Sequence, residues 1–100
     1  MLRISIDQKD DAMGITLEGR IAGPWVAELH RTWSELAPSL GTRRLAIDLC
    51  NATYADASGI QTLREIYSQS NAQLITSTPW TQYLADEIAR PNTQPEEPGA

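Results

Sequence analysis

The feature that most constrains the fold is a strand pattern that leads into a helical pattern between Leu45 and Gln69. The segment "LAIDL" is short and nearly continuously apolar, which is typical of a strand buried on both faces and therefore central in its sheet. After the polar loop "NATYADASG", apolar side chains recur at three- and four-residue steps, as in an amphipathic helix. This order favours an α/β fold with crossover connections.

The residues before this segment predict a hairpin and a helix. Polar and apolar residues alternate in "LRISID" and "GITLEG", which predicts two strands, and so short a connection between them requires antiparallel pairing. Pro24 is suited to the first turn of a helix, and we expect that helix to end before Pro38. Its two tryptophans, Trp25 and Trp33, are predicted to anchor the core.

The residues after this segment predict one more strand and one more helix. Asn71 is expected to close the second helix, since asparagine tolerates the left-handed conformation of a C-terminal cap. The strand "AQLITST" follows, and Thr78 and Pro79 are predicted to open a third helix. Four side chains of that helix are expected to face inward: Trp80, Tyr83, Leu84 and Ile88.

The predicted fold class is a single α/β domain with a mixed four-stranded sheet. It has an N-terminal hairpin, two right-handed βαβ crossovers and about three helices. The domain is predicted over residues 1–89. Residues 90–100 contain three prolines, two glutamates and no large apolar side chain, so they are expected to form a disordered tail.

Composition argues against several functional classes. The single cysteine, Cys50, excludes an intramolecular disulfide and a zinc site built on cysteine pairs, and we expect neither metal nor cofactor. The net charge of −5 opposes nucleic-acid binding, and the adjacent basic residues Arg43 and Arg44 are expected in a solvated loop. No apolar run approaches the ~20 residues of a membrane span, and no leader pattern opens the chain. A cytoplasmic protein without direct membrane insertion is therefore predicted.

Ser58 is the candidate functional residue, and two uses of it stay open. With Gln61 three residues later, it fits a capping box, which would contribute about 1 kcal/mol. It could instead be phosphorylated, because a helix N-terminus tolerates added negative charge. Gly59 would then leave room for a phosphoryl donor and for close backbone approach. Asp56 would repel the phosphate, and it could itself cap the helix or contact a partner.

Catalysis by this serine is a weaker hypothesis. A nucleophilic serine needs a base, and the only histidine, His30, lies in the first predicted helix. No Gly-x-Ser-x-Gly elbow surrounds Ser58, and the chain has no phosphate-binding glycine loop. We therefore predict that the protein is not an enzyme.

The segment "LAIDLCNATYADASGIQTLREIYSQ" closely resembles the central signature of STAS domains. In that family an apolar strand ends in Asp-Leu, and after a short loop Asp-Ser/Thr-Ser-Gly-Leu opens a helix. The resemblance extends through "STPWTQYLADEI" and covers roughly residues 2–89. The chain departs from the pattern at Ala57, where the family often has serine or threonine, at Ile60, which replaces leucine, and in "EGRIAGPWVAEL".

The resemblance implies a protein-binding module in transcription regulation and signal transduction. In the bacterial anti-sigma factor antagonists of this family, the serine matching Ser58 is phosphorylated by an anti-sigma factor that is a serine kinase, and a phosphoserine phosphatase reverses this. The unphosphorylated form binds the kinase and frees a sigma factor. The residues implied in partner binding are Asp56, Ala57, Ser58, Gly59 and Ile60.

Another branch of the family stays open as an alternative. The chain would then be a non-catalytic STAS subunit of a lipid-trafficking ABC transporter or a stress-signalling scaffold, with Ser58 only a helix cap. A homodimer is also left open.

Overall fold

The computed structural model describes residues 1–90 and contains the predicted elements in the predicted order. The predicted tail lies outside the described residues except for Arg90, which is the C-cap of the last helix. The elements are β1 (Leu2–Gln8), β2 (Ala12–Ile21), α1 (Pro24–Leu40), β3 (Arg44–Ala55), α2 (Ala57–Ser70), β4 (Gln73–Ile75) and α3 (Pro79–Ala89).

The four strands form one mixed sheet in the order β1-β2-β3-β4. The β1–β2 pair is antiparallel, whereas β2, β3 and β4 are mutually parallel. This confirms the predicted small α/β domain with an N-terminal hairpin. Because each helix follows one of the three parallel strands, all three helices begin at the same edge of the sheet, which we call the carboxyl edge.

Within residues 1–90, helices cover only one face of the sheet. Along β3, Leu45, Ile47 and Leu49 are buried, whereas the intervening Ala46 and Asp48 are half-buried. The buried set forms one core with apolar residues of the three helices. The prediction that this strand is buried on both faces was therefore wrong. Strand β3 is central because it lies between β2 and β4 in the sheet, and helices do not cover both of its faces.

Strand β3 is much longer than its apolar segment. It continues to Ala55 by pairing with β2 across two register shifts, at each of which β3 carries an extra residue. At the first shift, Asp48 Oδ1 accepts a hydrogen bond from the Cys50 amide at 2.9 Å. Most of the predicted loop is thus strand, and a single residue, Asp56, separates β3 from α2.

Helix α1 also extends further than predicted, through Pro38 to Leu40. A proline in the last turn removes a single intrahelical bond, and the final residue, Leu40, is buried in the core. Arg43 stabilises this end: its Nε donates to Leu40 O at 3.3 Å and its Nη1 to Lys9 O at 3.2 Å. The predicted solvated arginine therefore joins the end of α1 to the β1–β2 turn.

The core contains some of the predicted aromatic anchors but not others. Trp33 is buried, and its indole N–H donates to Gln69 Oε1 at 2.9 Å. Trp25 and Trp80 are each 38% exposed and Tyr83 is 59% exposed, so the inward placement predicted for these three was wrong. The prediction was right for Leu84 and Ile88. Among residues 1–90, no helix is long and apolar enough to cross a membrane.

Candidate functional site

Ser58 is the second residue of α2, at the carboxyl edge, and its side chain is exposed. The N-cap of α2 is Asp56, whose Oδ1 accepts from the Gly59 amide at 2.8 Å. Ser58 Oγ donates to the same oxygen at 3.0 Å. The predicted capping box of Ser58 with Gln61 was therefore wrong, because β3 runs to Ala55 and α2 begins earlier than that pattern requires.

Asp56 holds together the starts of two helices. Its second oxygen, Oδ2, accepts from the Gly23 amide at 3.2 Å, and Gly23 is the N-cap of α1, with no side chain of its own to cap that helix. The Asp56 amide donates to Ile21 O at 3.2 Å, at the end of β2. One aspartate thus links β2 and the N-termini of α1 and α2.

These bonds favour the ionised form of Asp56. The hydrogen bond from the Gly59 amide is the largest influence that lowers the pKa of Asp56 from its usual 3.8, and the bond from the Gly23 amide is the next. Partial desolvation opposes this shift, and the hydroxyl and amide of Ser58 add to it. Hydrogen bonds that favour the ionised form explain the direction, so Asp56 is a carboxylate at neutral pH.

Gly59 is required for close packing inside the fold. It is buried, and a Cβ at this position would lie 2.3 Å from Ile21 O and 3.0 Å from Ile21 Cγ2. The close backbone approach predicted at Gly59 therefore joins α2 to the end of β2. Of the other residues implied in partner binding, Ala57 is exposed and Ile60 is half-buried.

Two exposed tryptophans lie at the same edge as Ser58. Trp25 and Trp80 are the second residues of α1 and α3, each directly after a proline that begins its helix. Helix α2 packs against both of these helices, so Ser58 lies in the first turn of the middle helix. Helical periodicity assigned both tryptophans to the core. The Pro-Trp pair at the start of each helix was the signal that a first turn extends beyond the core.

A third aromatic side chain is exposed near the end of β3. Tyr54 is 42% exposed, and the Arg20 guanidinium lies 4.6 Å from the centre of its ring, a cation–π contact. Arg20 and Tyr54 are partners in the β2–β3 register. The sequence interpretation assigned a role to neither residue.

His30, the histidine considered as a base, contacts a different part of α2. Its Nε2 lies 3.9 Å from Glu65 Oε1, and Glu65 is about two helical turns beyond Ser58. Among residues 1–90, the hydrogen bond of the Ser58 hydroxyl is to Asp56. In the same part of the chain, no three His, Cys, Asp or Glu side chains are grouped so that they could hold a metal ion.

The chain is similar in structure to part of a larger solved protein. In a structure described as "Crystal Structure Analysis of Mglu", the match has a TM-score of 0.60 at 15% identity and covers 75% of this chain. The chain spans only 19% of the length of that protein. A second structure, "Crystal structure of Mglu in its native form in the presence of 4.3M NaCl", matches with a TM-score of 0.45, 14% identity and 79% coverage, over 26% of its own length.

No protein-family model and no curated protein matches the chain. At such low identity, the first structural match bears on the fold alone. It shows that a fold similar to most of this small α/β domain occurs within a solved protein.

Proposed function

We propose that this chain is a STAS-like protein-binding module, switched by phosphorylation of Ser58, of the anti-sigma factor antagonist type. It acts in the cytoplasm and is not itself an enzyme. The observation that carries the proposal is the exposed Ser58 hydroxyl at the start of α2, which does not cap the helix. The resemblance of "YADASGIQ" to the STAS signature supplies the class of partner.

The Ser58 hydroxyl can be modified without disturbing the fold. Its hydrogen bond to Asp56 is exposed, and Asp56 keeps its bonds to Gly59 and Gly23 when that hydroxyl is lost. The N-terminus of α2 tolerates negative charge because its free N–H groups and its dipole are positive there. Phosphorylation would therefore change the surface of the domain and leave its core intact.

The charge of Asp56 determines the orientation of a phosphate on Ser58. A phosphoserine carries about −1.5 to −2 charge at neutral pH and cannot donate the hydrogen bond that now joins Ser58 Oγ to Asp56 Oδ1 over 3.0 Å. Repulsion from the ionised Asp56 then turns the phosphate away from the domain, toward solvent. A partner seated on the carboxyl edge would meet it directly.

Trp25 and Trp80 are the proposed anchors of that partner. Tryptophan is enriched among the residues that dominate binding energy at protein interfaces, and both side chains are 38% exposed at the edge where Ser58 lies. A phosphate placed among them would disrupt a close-packed interface by desolvation and by like-charge repulsion. Unphosphorylated protein binds, and phosphorylated protein is released.

The chemical step belongs to the partner kinase. The γ-phosphoryl group of ATP leaves ADP and bonds to Ser58 Oγ, and the hydroxyl proton passes to a base of the kinase. Asp56 is a poor base for this proton because its hydrogen bonds lower its pKa. A phosphoserine phosphatase restores the hydroxyl by hydrolysis.

The test compares two exposed serines of the same helix, Ser58 and Ser68. The protein is incubated with ATP and lysate of its source cells, and phosphate is mapped by mass spectrometry. Capture of the partner from lysate without added ATP is compared for the wild type, Ser58→Ala, Ser58→Asp and the control Ser68→Asp. We expect phosphate on Ser58, and capture by every form except Ser58→Asp.

Two outcomes would contradict the switch. One is that Ser58 stays unmodified while Ser58→Asp captures the same partner as the wild type. The other is that Trp25→Ala and Trp80→Ala abolish capture whereas neither Ser58 variant alters it, which would indicate an unswitched subunit or scaffold instead.

A further inference from the structure

Strand β1 is an outer strand of the sheet, and its side that faces away from β2 has no partner strand among residues 1–90. It is the first strand in the sheet order and pairs with β2 alone among residues 1–90. It is seven residues long, whereas β4, at the opposite edge, has three. A free edge presents unpaired N–H and C=O groups to another strand, and short edges limit this exposure. Because β1 has seven residues, its exposed backbone N–H and C=O groups are not limited by a short strand.

An apolar groove lies beside this edge. Between β1 and the first turns of α1 there is a groove of about 320 Å³, lined by Leu2, Ile4, Ile6, Trp25, Glu28 and Thr32. Ile6 is 37% exposed and Trp25 is 38% exposed. A strand added to this edge would extend the sheet beneath Trp25 and bring apolar side chains against Ile6.

The other face of β1 carries charges of opposite sign in a symmetric pattern. Arg3 and Asp7 lie two residues on either side of Ser5, and all three are on one face because side chains alternate along a strand. If two copies pair antiparallel about a twofold axis at Ser5, the Arg3 of each copy faces the Asp7 of the other. On the groove face, Ile4 then faces Ile6 of the second copy.

The length of β1 and the positions of its charges favour this register. Pairing about Ser5 uses all residues from Leu2 to Gln8, which are the bounds of β1. If the twofold axis passed through Ile4 or Ile6 instead, Arg3 and Asp7 would not face each other. If the pairing shifted by one residue, the helices of the two copies would lie on opposite faces of the joined sheet. Charged side chains on an edge strand ordinarily oppose pairing, but here they are complementary to those of a second copy.

We propose that this chain forms a twofold homodimer by antiparallel pairing of β1 with β1 of a second copy. The two sheets become one continuous eight-stranded sheet, and Ile6 is covered on its helical face. Asp7 exchanges its exposed contact with Lys9, at 3.8 Å, for the Arg3 of the other copy. The dimer does not require Ser58, so this inference stands apart from the phosphorylation switch.

The first test is a charge swap followed by sedimentation velocity over a range of protein concentrations. We expect a wild-type dimer, a dissociation constant raised about tenfold or more by Arg3→Asp or Asp7→Arg, and recovery in the double variant Arg3→Asp/Asp7→Arg. Circular dichroism verifies that each variant is folded. A wild type that stays monomeric throughout, or a double variant no better than the single variants, would overturn the proposal.

The second test uses two matched isoleucines. Ile6 on β1 and Ile75 on β4 are both 37% exposed and lie on opposite edge strands of the sheet. We expect Ile6→Glu to give a folded monomer and Ile75→Glu to remain a dimer. The reverse result would assign the interface to the β4 edge and reject the one proposed.

A cross-linking experiment tests the register. With Cys50→Ala removing the only cysteine, Ser5→Cys places two thiols directly opposite each other, with Cα atoms about 4.5–5.5 Å apart, within the range of a disulfide. In the same background Gln8→Cys keeps Arg3 and Asp7 and leaves its two thiols about 20 Å apart along the strands. Rapid oxidation to a dimer is expected only for Ser5→Cys, and equal linking of both variants would reject the register.

Discussion

Helices α2 and α3 begin at the same edge of the sheet and use their hydroxyl groups differently. In α3 the Thr78 side chain caps the helix, and the buried Thr81 hydroxyl accepts from the amides of Ser77 at 3.0 Å and Thr78 at 2.9 Å. In α2 a carboxylate is the cap, and the Ser58 hydroxyl is exposed with a bond to Asp56. The Thr78 and Thr81 hydroxyls stabilise the start of α3, whereas the Ser58 hydroxyl is exposed and does not cap α2.

The largest effect is expected from Gly59→Ala, which would break the packing that positions α2. The new Cβ would lie 2.3 Å from the Ile21 carbonyl oxygen, so the first turn of α2 must move away from the end of β2. Overpacking of this kind costs about 1–3 kcal/mol or more. Urea denaturation measures the free energy of unfolding.

The control is Gly14→Ala, at a glycine of β2 that lies opposite Asp7 of β1. Its Cβ would be 3.8 Å from Asp7 Cβ, an ordinary contact, and we expect a change within about 0.5 kcal/mol. Equal losses in the two variants would mean that the contact between Gly59 and Ile21 is not what requires glycine.

The next effect is expected at the start of α3, from Thr81→Val. Valine keeps the shape of the buried side chain, which is 1% exposed, but leaves the amides of Ser77 and Thr78 without their acceptor. Unsatisfied buried groups cost about 1–3 kcal/mol. The free energy of unfolding in urea should fall by that amount, whereas Thr53→Val, at an exposed position of β3, should change it by less than about 0.5 kcal/mol. No loss for Thr81→Val would remove the contrast between the two helices.

A smaller, pH-dependent effect is expected from Asp56→Asn. The pKa of Asp56 is lower in the folded protein than its usual 3.8, so in acid the unfolded chain binds more protons. The stabilisation is fully present above pH 3.8 and is lost as the pH falls through the folded pKa. Melting temperatures of both proteins between pH 3 and 7 should differ most near neutrality and converge in acid. A difference that is constant with pH would show that the Asp56 charge contributes nothing.

The sequence predicted helix ends well where the decisive contacts are local. Asn71 closes α2 in the left-handed conformation, with φ 53° and its amide bonded to Tyr67 O at 2.8 Å, and Thr78 caps α3. At α2 the cap is Asp56 and not Ser58, because β3 continues to Ala55 by pairing with β2. That pairing joins residues remote in sequence, so the capping-box pattern of Ser58 and Gln61 placed the start of the helix too late.

Burial was predicted well at the centre of the core and poorly at its boundaries. The buried positions Leu63, Leu84 and Ile88 follow from helical period. Trp25 and Trp80 share that period but lie in first turns at the edge of the sheet, where a helix extends beyond the core. Periodicity gives the direction of a side chain around its helix and does not give how far the sheet reaches beneath it.

The smallest effect on stability is expected from Ser58→Ala. Loss of an exposed hydroxyl that does not cap its helix should change the free energy of unfolding by less than about 0.5 kcal/mol. Urea denaturation measures this change. The comparison variant is Thr78→Ala, in which loss of the helix cap should cost about 1 kcal/mol. If Ser58→Ala proved as costly as Thr78→Ala, Ser58 would be a structural residue and a phosphate there would endanger the fold. A small loss would leave Ser58 free to be modified, because a switch that alters binding without unfolding the domain needs a residue that the fold does not use.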